Sequence, residues 1–216
     1  MTLADPGALR VYVVTSSAFA GRTHRDIVLA AIRGGATAIQ LRAPELDEGA
    51  LRPLAAELSA ICRRAGVLLL VNDRPDVAAA AGADGAHVGQ TDDPAGARAA
   101  LGPGPVLGMS VASVEEARRA RSLGADYLGV TVWPTRTKPE ATAAGLEAVR
   151  AVAAATALPV VGIGGIDAGN AGAVLGAGAA GVAVLSAVAA AADPVVATRR
   201  LVAAVRDAGE VRGAAR

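Results

Sequence analysis

Aromatic residues make up only 2% of this 216-residue chain, cysteine occurs once and histidine twice. A core with so little aromatic bulk has to be packed by Ala, Val, Leu and Ile, which suits helices laid against a parallel sheet. The lone Cys62 excludes a disulfide framework and a cysteine metal centre, and fits a reduced cytoplasm. With His24 and His87 as the only histidines, no Ser-His-Asp or Cys-His set can be drawn. An excess of one charge is also missing, since 21 Lys and Arg face 20 Asp and Glu. Without a basic stripe and interleaved aromatics, nucleic acid is not the expected partner. No apolar run of membrane-spanning length occurs without Gly or charge, and the first residues lack a basic start followed by an apolar core. The chain therefore reads as soluble and unexported. Nor does a Ser/Pro-rich linker or charge block divide it, so one domain is expected over 1–216, with flexible ends at about 1–9 and 210–216.

What is present is organised around Val67 to Asp93, VLLLVNDRPDVAAAAGADGAHVGQTDD. Two apolar runs of strand length, Val67 to Val71 and Ala86 to Val88, each lead into polar residues: Asn72 and Asp73 after the first, Gln90 and Asp92 after the second. Between them, Pro75 to Gly82 has the Pro start and Gly stop of a short helix. A strand, helix, strand crossover makes the two strands parallel. Parallel neighbours lie roughly 4.8 Å apart, so Asp73 and Asp92 would leave the same sheet edge. One divalent ion bridging them would be Mg²⁺ rather than Zn²⁺, which prefers His and Cys. The competing reading is that each Asp merely caps a loop or a helix.

The same alternation runs through the chain. Val11 to Thr15 is followed by a helix over Thr23 to Arg33, and Ala38 to Leu41 by one over Asp47 to Arg64, with Leu51, Leu54, Leu58 and Ile61 on one face. After the central stretch come a helix from Pro94 to Leu101, a strand from Val106 to Met109, and a helix opened by Ser113 and Glu116 as a capping box. Tyr127 to Val130 leads into the long loop Thr131 to Ala144, a length more often functional than idle. Pro159 to Ile163 precedes Gly164, Gly165 and an Asp167-capped helix; Gly181 to Leu185 precedes Ser186 and a last helix over Pro194 to Ala208. Eight such units with apolar strands favour an α/β fold closed as a single (β/α)₈ barrel over an open doubly wound sheet. Active sites of such barrels gather at the carboxyl ends of the strands. Gln40, Arg42, Asn72, Asp73, Asp92, Ser110, Thr135 to Lys138, Gly165 and Ser186 all fall there. Gly164 and Gly165 would let backbone amides approach an anion, and Arg42, Arg136 and Lys138 add cations, so the mouth suits a phosphate ester meeting a diphosphate.

The segments QLR (Gln40 to Arg42), VNDRPDVAAAAGADGAHVGQTDD (Val71 to Asp93), GMS (Gly108 to Ser110), ADYLGV (Ala125 to Val130), WPTRTKP (Trp133 to Pro139) and GIGGI (Gly162 to Ile166) resemble the thiamine phosphate synthase family. The resemblance runs from Val11 to about Pro194 and implies a (β/α)₈ TIM barrel. It implies a Mg²⁺-dependent transferase that joins hydroxymethylpyrimidine diphosphate to a thiazole phosphate and releases diphosphate. By the same resemblance Asp73 and Asp92 bind Mg²⁺, while Gln40, Arg42, Asn72, Ser110 and Lys138 hold the pyrimidine diphosphate. Thr135, Arg136, Thr137, Gly165, Leu185 and Ser186 would hold the thiazole phosphate, with Arg42, Ser110 and Lys138 nearest the chemistry. No general base is needed if diphosphate leaves before the thiazole nitrogen attacks, which matches the scarcity of histidine; His87 reads as a hydrogen-bonded structural residue. Two departures mark this chain: Pro44 stands where the family usually has a Lys after QLR, and the entrance to the basic loop, GVTVWPT, is shorter than usual. The alternatives are a divergent thiazole tautomerase, which relies on a catalytic histidine and lacks the metal residues, or a non-catalytic binder of thiamine precursors. The expected partners are these small-molecule substrates, and the sequence is compatible with a homo-oligomer.

Overall fold

The computed structural model describes residues 5, 7–17, 19, 21–89, 93–135 and 143–214. Eight strands of four or five residues are β1 Val11–Val14, β2 Ala38–Leu41, β3 Leu68–Asn72, β4 Gly85–Val88, β5 Val106–Ser110, β6 Tyr127–Thr131, β7 Val160–Ile163 and β8 Gly181–Val184. Helices follow them: α1 His24–Gly34, α2 Glu48–Ala65, α3 Pro75–Ala80, α4 Pro94–Leu101, α5 Val114–Ser122, α6 Gly145–Ala155, α7 Ala171–Gly176, the single turn α8 Ser186–Ala189, and α9 Pro194–Ala214. Each strand pairs in parallel with the next, and β8 returns to β1, closing the expected barrel.

Strands this apolar are stable only when both faces are covered. Alternation along each strand divides the side chains accordingly. Val13, Ile39, Leu69, Val71, Leu128 and Val182 face outward into the layer shared with the helices. Tyr12, Val14, Ala38, Leu68, Leu70, Tyr127, Val161 and Ala183 turn inward and fill the barrel. Ala8 and Leu9 join that inner cluster from the amino-terminal side and are 1% and 3% exposed. The same period of two that buries Leu68 and Leu70 delivers Asn72 at the upper, carboxyl end of β3.

Local signals agree with the elements, with three differences. The complete capping box is at α1, where Thr23 and Asp26 exchange bonds, rather than at α5. At α5, Ser113 accepts from the Glu116 amide at 3.1 Å, but the Glu116 carboxylate accepts from Ala112 N instead of closing the box. Asp167 does not cap a helix: its carboxylate accepts from Gly169 N at 2.7 Å, and α7 begins later, at Ala171. The last helix continues to Ala214, beyond the stop expected at Ala208. Among the described residues, no helix is long and apolar enough to cross a membrane.

Candidate active site

The upper end of the barrel holds a cavity of about 420 Å³. Of the residues expected from the sequence, Gln40, Arg42, Asn72, Ser110, Thr135, Gly165, Leu185 and Ser186 line it together. Asp73 does not line it; it is exposed, one residue past the end of β3. Asp92, Arg136, Thr137, Lys138 and the Gln90 beside them lie outside the described residues.

Asp73 has a φ of +56°, the only non-glycine among the described residues on that side of the map. Asp and Asn enter this region more readily than other side-chain-bearing residues, and such strain persists where the surroundings over-determine it. Two bonds do so here: the Asp73 amide donates to the His87 carbonyl at 2.8 Å, and Asn72 Nδ2 donates to Asp73 Oδ2 at 2.5 Å. A hard carboxylate oxygen presented at the rim is a donor of the kind Mg²⁺ takes. Among the described residues no cluster of three metal-ligating side chains forms.

Arg42 is held by its backbone. Thr15 Oγ1 accepts from the Arg42 amide at 3.1 Å and meets His24 Nδ1 at 2.8 Å, while His24 Nε2 lies 2.9 Å from Glu45 Oε1. Ser17 also donates to Glu45. Partial burial works against ionisation of Glu45, but the hydrogen bonds from Ser17 and His24 outweigh it and hold the carboxyl below its usual range. The turn containing Pro44, closed by Leu46 N donating to Ala43 O, is thus tied back to α1. The Arg42 guanidinium has no carboxylate partner among the described residues, and Arg42 lines the cavity.

On the opposite wall, Gly164 and Gly165 adopt φ of +91° and +63°. A methyl group at Gly164 would lie 2.7 Å from the Trp133 carbonyl oxygen, so the pair serves both the turn and the crossing of the loop after β6. Asn170 Nδ2 donates to the Gly165 carbonyl at 2.8 Å, fixing this turn to the start of α7.

Beneath the mouth, polar side chains connect across the interior. Gln40 Nε2 donates to the Tyr12 hydroxyl at 2.8 Å, and the hydroxyls of Tyr12 and Tyr127 are 3.1 Å apart. His87 Nδ1 meets the Tyr127 hydroxyl at 2.8 Å, and His87 Nε2 meets Ser110 Oγ at 3.0 Å. Burial pushes both tyrosine hydroxyls well above their ordinary pKa, so they stay protonated. Sequence reasoning missed Tyr12 and Tyr127, although a signal existed: the chain's only two tyrosines both fall in strand-length apolar runs, on the inward phase. The Gly of GMS belongs to this network, because a methyl group at Gly108 would lie 2.1–2.4 Å from Tyr127 ring and hydroxyl atoms. Cys62 plays no part; burial pushes its thiol up to about 12, and it faces the helix layer.

A sequence profile described as thiamine monophosphate synthase matches residues 11–188. The thiamine-phosphate synthase of Chloroflexus aurantiacus is 46% identical over 155 residues, covering 70% of this chain and 72% of that protein. That of Moorella thermoacetica is 48% identical over 146 residues, covering 66% and 70%. Among solved structures, the thiamine phosphate pyrophosphorylase of Pyrococcus furiosus superposes with a TM-score of 0.87 at 38% identity, over 94% of this chain and 98% of its own. Profile, relatives and superposition agree with the strand-end pattern that lines the cavity, and the chain belongs to the thiamine monophosphate synthase family.

Proposed function

We propose that this chain joins 4-amino-2-methyl-5-hydroxymethylpyrimidine diphosphate to thiazole phosphate, giving thiamine phosphate and diphosphate. The observation that carries this reading is the convergence of Gln40, Arg42, Asn72, Ser110, Thr135, Gly165, Leu185 and Ser186 on one cavity at the catalytic end of the barrel. In the reaction the C–O bond between the pyrimidine methylene and diphosphate breaks, and the electron pair leaves with the diphosphate. The aminopyrimidine spreads the resulting positive charge, and the thiazole nitrogen lone pair then forms the C–N bond, with no proton to be removed. Arg42, with Lys138, meets negative charge where it develops on the leaving group. Mg²⁺ held by Asp73 and Asp92 would neutralise the same charge. Gln40, Asn72 and Ser110 orient the pyrimidine, while Gly165, Leu185, Ser186 and Thr135, with Arg136 and Thr137, hold the thiazole phosphate opposite it.

The direct test supplies the purified protein with both substrates and Mg²⁺ and follows diphosphate and thiamine phosphate, with EDTA as control. Metal-dependent appearance of both products supports the reading, whereas tight binding of the pyrimidine diphosphate without turnover would move the chain to a binding role. Arg42→Ala is expected to lower kcat/KM on the order of 10²-fold, about 3 kcal/mol of lost charge stabilisation. Its melting temperature should stay close to the parent's, because the Thr15 bond to residue 42 uses the backbone amide. Steady-state diphosphate release checks the first part and a thermal scan the second.

A further inference from the structure

The five residues Gln40, Tyr12, Tyr127, His87 and Ser110 form an unbroken hydrogen-bond line, and all five line the cavity. Such a line has only two self-consistent proton arrangements. Each hydroxyl has one proton to give, and a buried hydroxyl proton without an acceptor is costly. The Gln40 amide nitrogen faces Tyr12 and can only donate, so the Tyr12 oxygen accepts there. Tyr12 and Tyr127 are 2% and 0% exposed. The Tyr12 proton is then donated to the Tyr127 oxygen, and the Tyr127 proton to His87 Nδ1. That nitrogen must offer a lone pair, which places the ring proton on Nε2, from where it is donated to Ser110 Oγ. Two groups are left over at the ends: the Gln40 carbonyl oxygen, an acceptor, and the Ser110 hydroxyl proton, a donor. Neither has a partner among the described residues.

We infer that this line couples Gln40 to Ser110 and makes the pair a polar reading head, selecting a ligand edge with a donor opposite Gln40 and an acceptor opposite Ser110. Tyr12, Tyr127 and His87 also line the cavity, but their hydroxyls and ring nitrogens are engaged within the line, so they are positioning residues for its two ends. The packing protects the line: Gly108 leaves room for the Tyr127 ring, and a methyl group at Gly129 would come within 3.0 Å of His87 Cε1. The substrate part of the inference rests on the synthase reading, because an aminopyrimidine carries an amino donor beside a ring-nitrogen acceptor. The proton arrangement itself does not.

The test begins with ¹⁵N NMR of the unliganded protein at about pH 8, well above the ordinary histidine range. Only two histidines contribute, and the His24 signals are identified by their loss in His24→Gln. His87 is expected as the Nε2–H tautomer in the parent and in Tyr12→Phe, where Tyr127 still donates to it. In Tyr127→Phe the single-tautomer pattern should give way to an averaged one. An Nδ1–H tautomer in the parent, or a Tyr127→Phe spectrum like the parent's, overturns the arrangement. The kinetic arm is a double-mutant cycle. Tyr127→Phe should lower kcat/KM roughly 3- to 10-fold. Added to Ser110→Ala, it should lower kcat/KM by clearly less than it does in the parent, because the part of its effect that passes through that hydroxyl is already lost. Losses that multiply in the double variant would make Tyr127 a packing residue and sink the coupling. A parent that turns over no substrate would remove the synthase reading, while the NMR result would still decide the proton arrangement.

Discussion

Asp73→Asn is expected to reduce Mg²⁺-dependent diphosphate release on the order of 10³-fold, since it removes one of two charges proposed to hold the ion against the leaving group. Asparagine is the informative substitution because of the backbone. Residue 73 sits at φ +56°, where Asn is tolerated nearly as well as Asp, and the Asn side-chain oxygen can still accept from Asn72. Alanine would add a conformational penalty of about 1 kcal/mol, mixing lost stability with lost chemistry. Thermal scans with and without Mg²⁺ separate the two. Without metal, Asp73→Asn should melt within about 2 °C of the parent, as expected for an exposed position. Any Mg²⁺-induced rise in melting temperature shown by the parent should disappear in the variant. Full turnover by Asp73→Asn would remove Asp73 from the metal site.

Much of this site was legible from residue order because a parallel barrel turns sequence into position with few free choices. Once eight apolar runs alternate with helices, the polar residues just past each run must gather at one rim, and Gln40, Asn72 and Ser110 do line one cavity. What the pattern could not show depends on distances across the barrel. Tyr12 and Tyr127 are 115 positions apart, and each looks like a core aromatic until the closed sheet brings their hydroxyls to 3.1 Å. The role of His24 was equally hidden. It supports Arg42 through Thr15 and ties down the Pro44 turn through Glu45, a link that joins β1, α1 and the loop after β2. Asp167 shows the opposite error. An Asp ahead of an Ala-rich run reads as a helix cap, yet its carboxylate closes a turn on Gly169, and Asn170 precedes the helix.

The phrase Gly-Ala-Asp occurs at 82–84 and again at 124–126, and its structural meaning carries the largest stability effect expected here. In both copies the Gly has positive φ, the Ala is buried, and the Asp carboxylate accepts from a neighbouring strand: Asp84 from Leu69 N and Asp126 from Leu107 N, each at 2.8 Å. The first copy continues into Gly85, where β4 runs close against the backbone of β5. A methyl group at Gly85 would lie 1.8 Å from the Val106 carbonyl oxygen and 2.6 Å from its carbon, both backbone atoms. Strand β4 has no room to move away, because Asp84 O accepts from Val106 N at 2.8 Å on one side while its carboxylate is bonded to Leu69 N on the other. The clash must therefore open the barrel between β4 and β5 or break the Asp84 bonds. Gly85→Ala is expected to cost on the order of 3–5 kcal/mol, against a typical total stability of about 5–15 kcal/mol. The melting temperature should fall by roughly 6–20 °C. Gly104→Ala is the control, because a methyl group there meets nothing within 4 Å and its φ is not in the positive range. It should leave stability unchanged or raise it by a few tenths of a kcal/mol, to about 1 at most, through lost freedom in the unfolded chain. Denaturant unfolding of the two variants beside the parent decides the matter: if Gly85→Ala unfolds at the same midpoint as Gly104→Ala, the close contact between β4 and β5 does not govern the stability of this barrel.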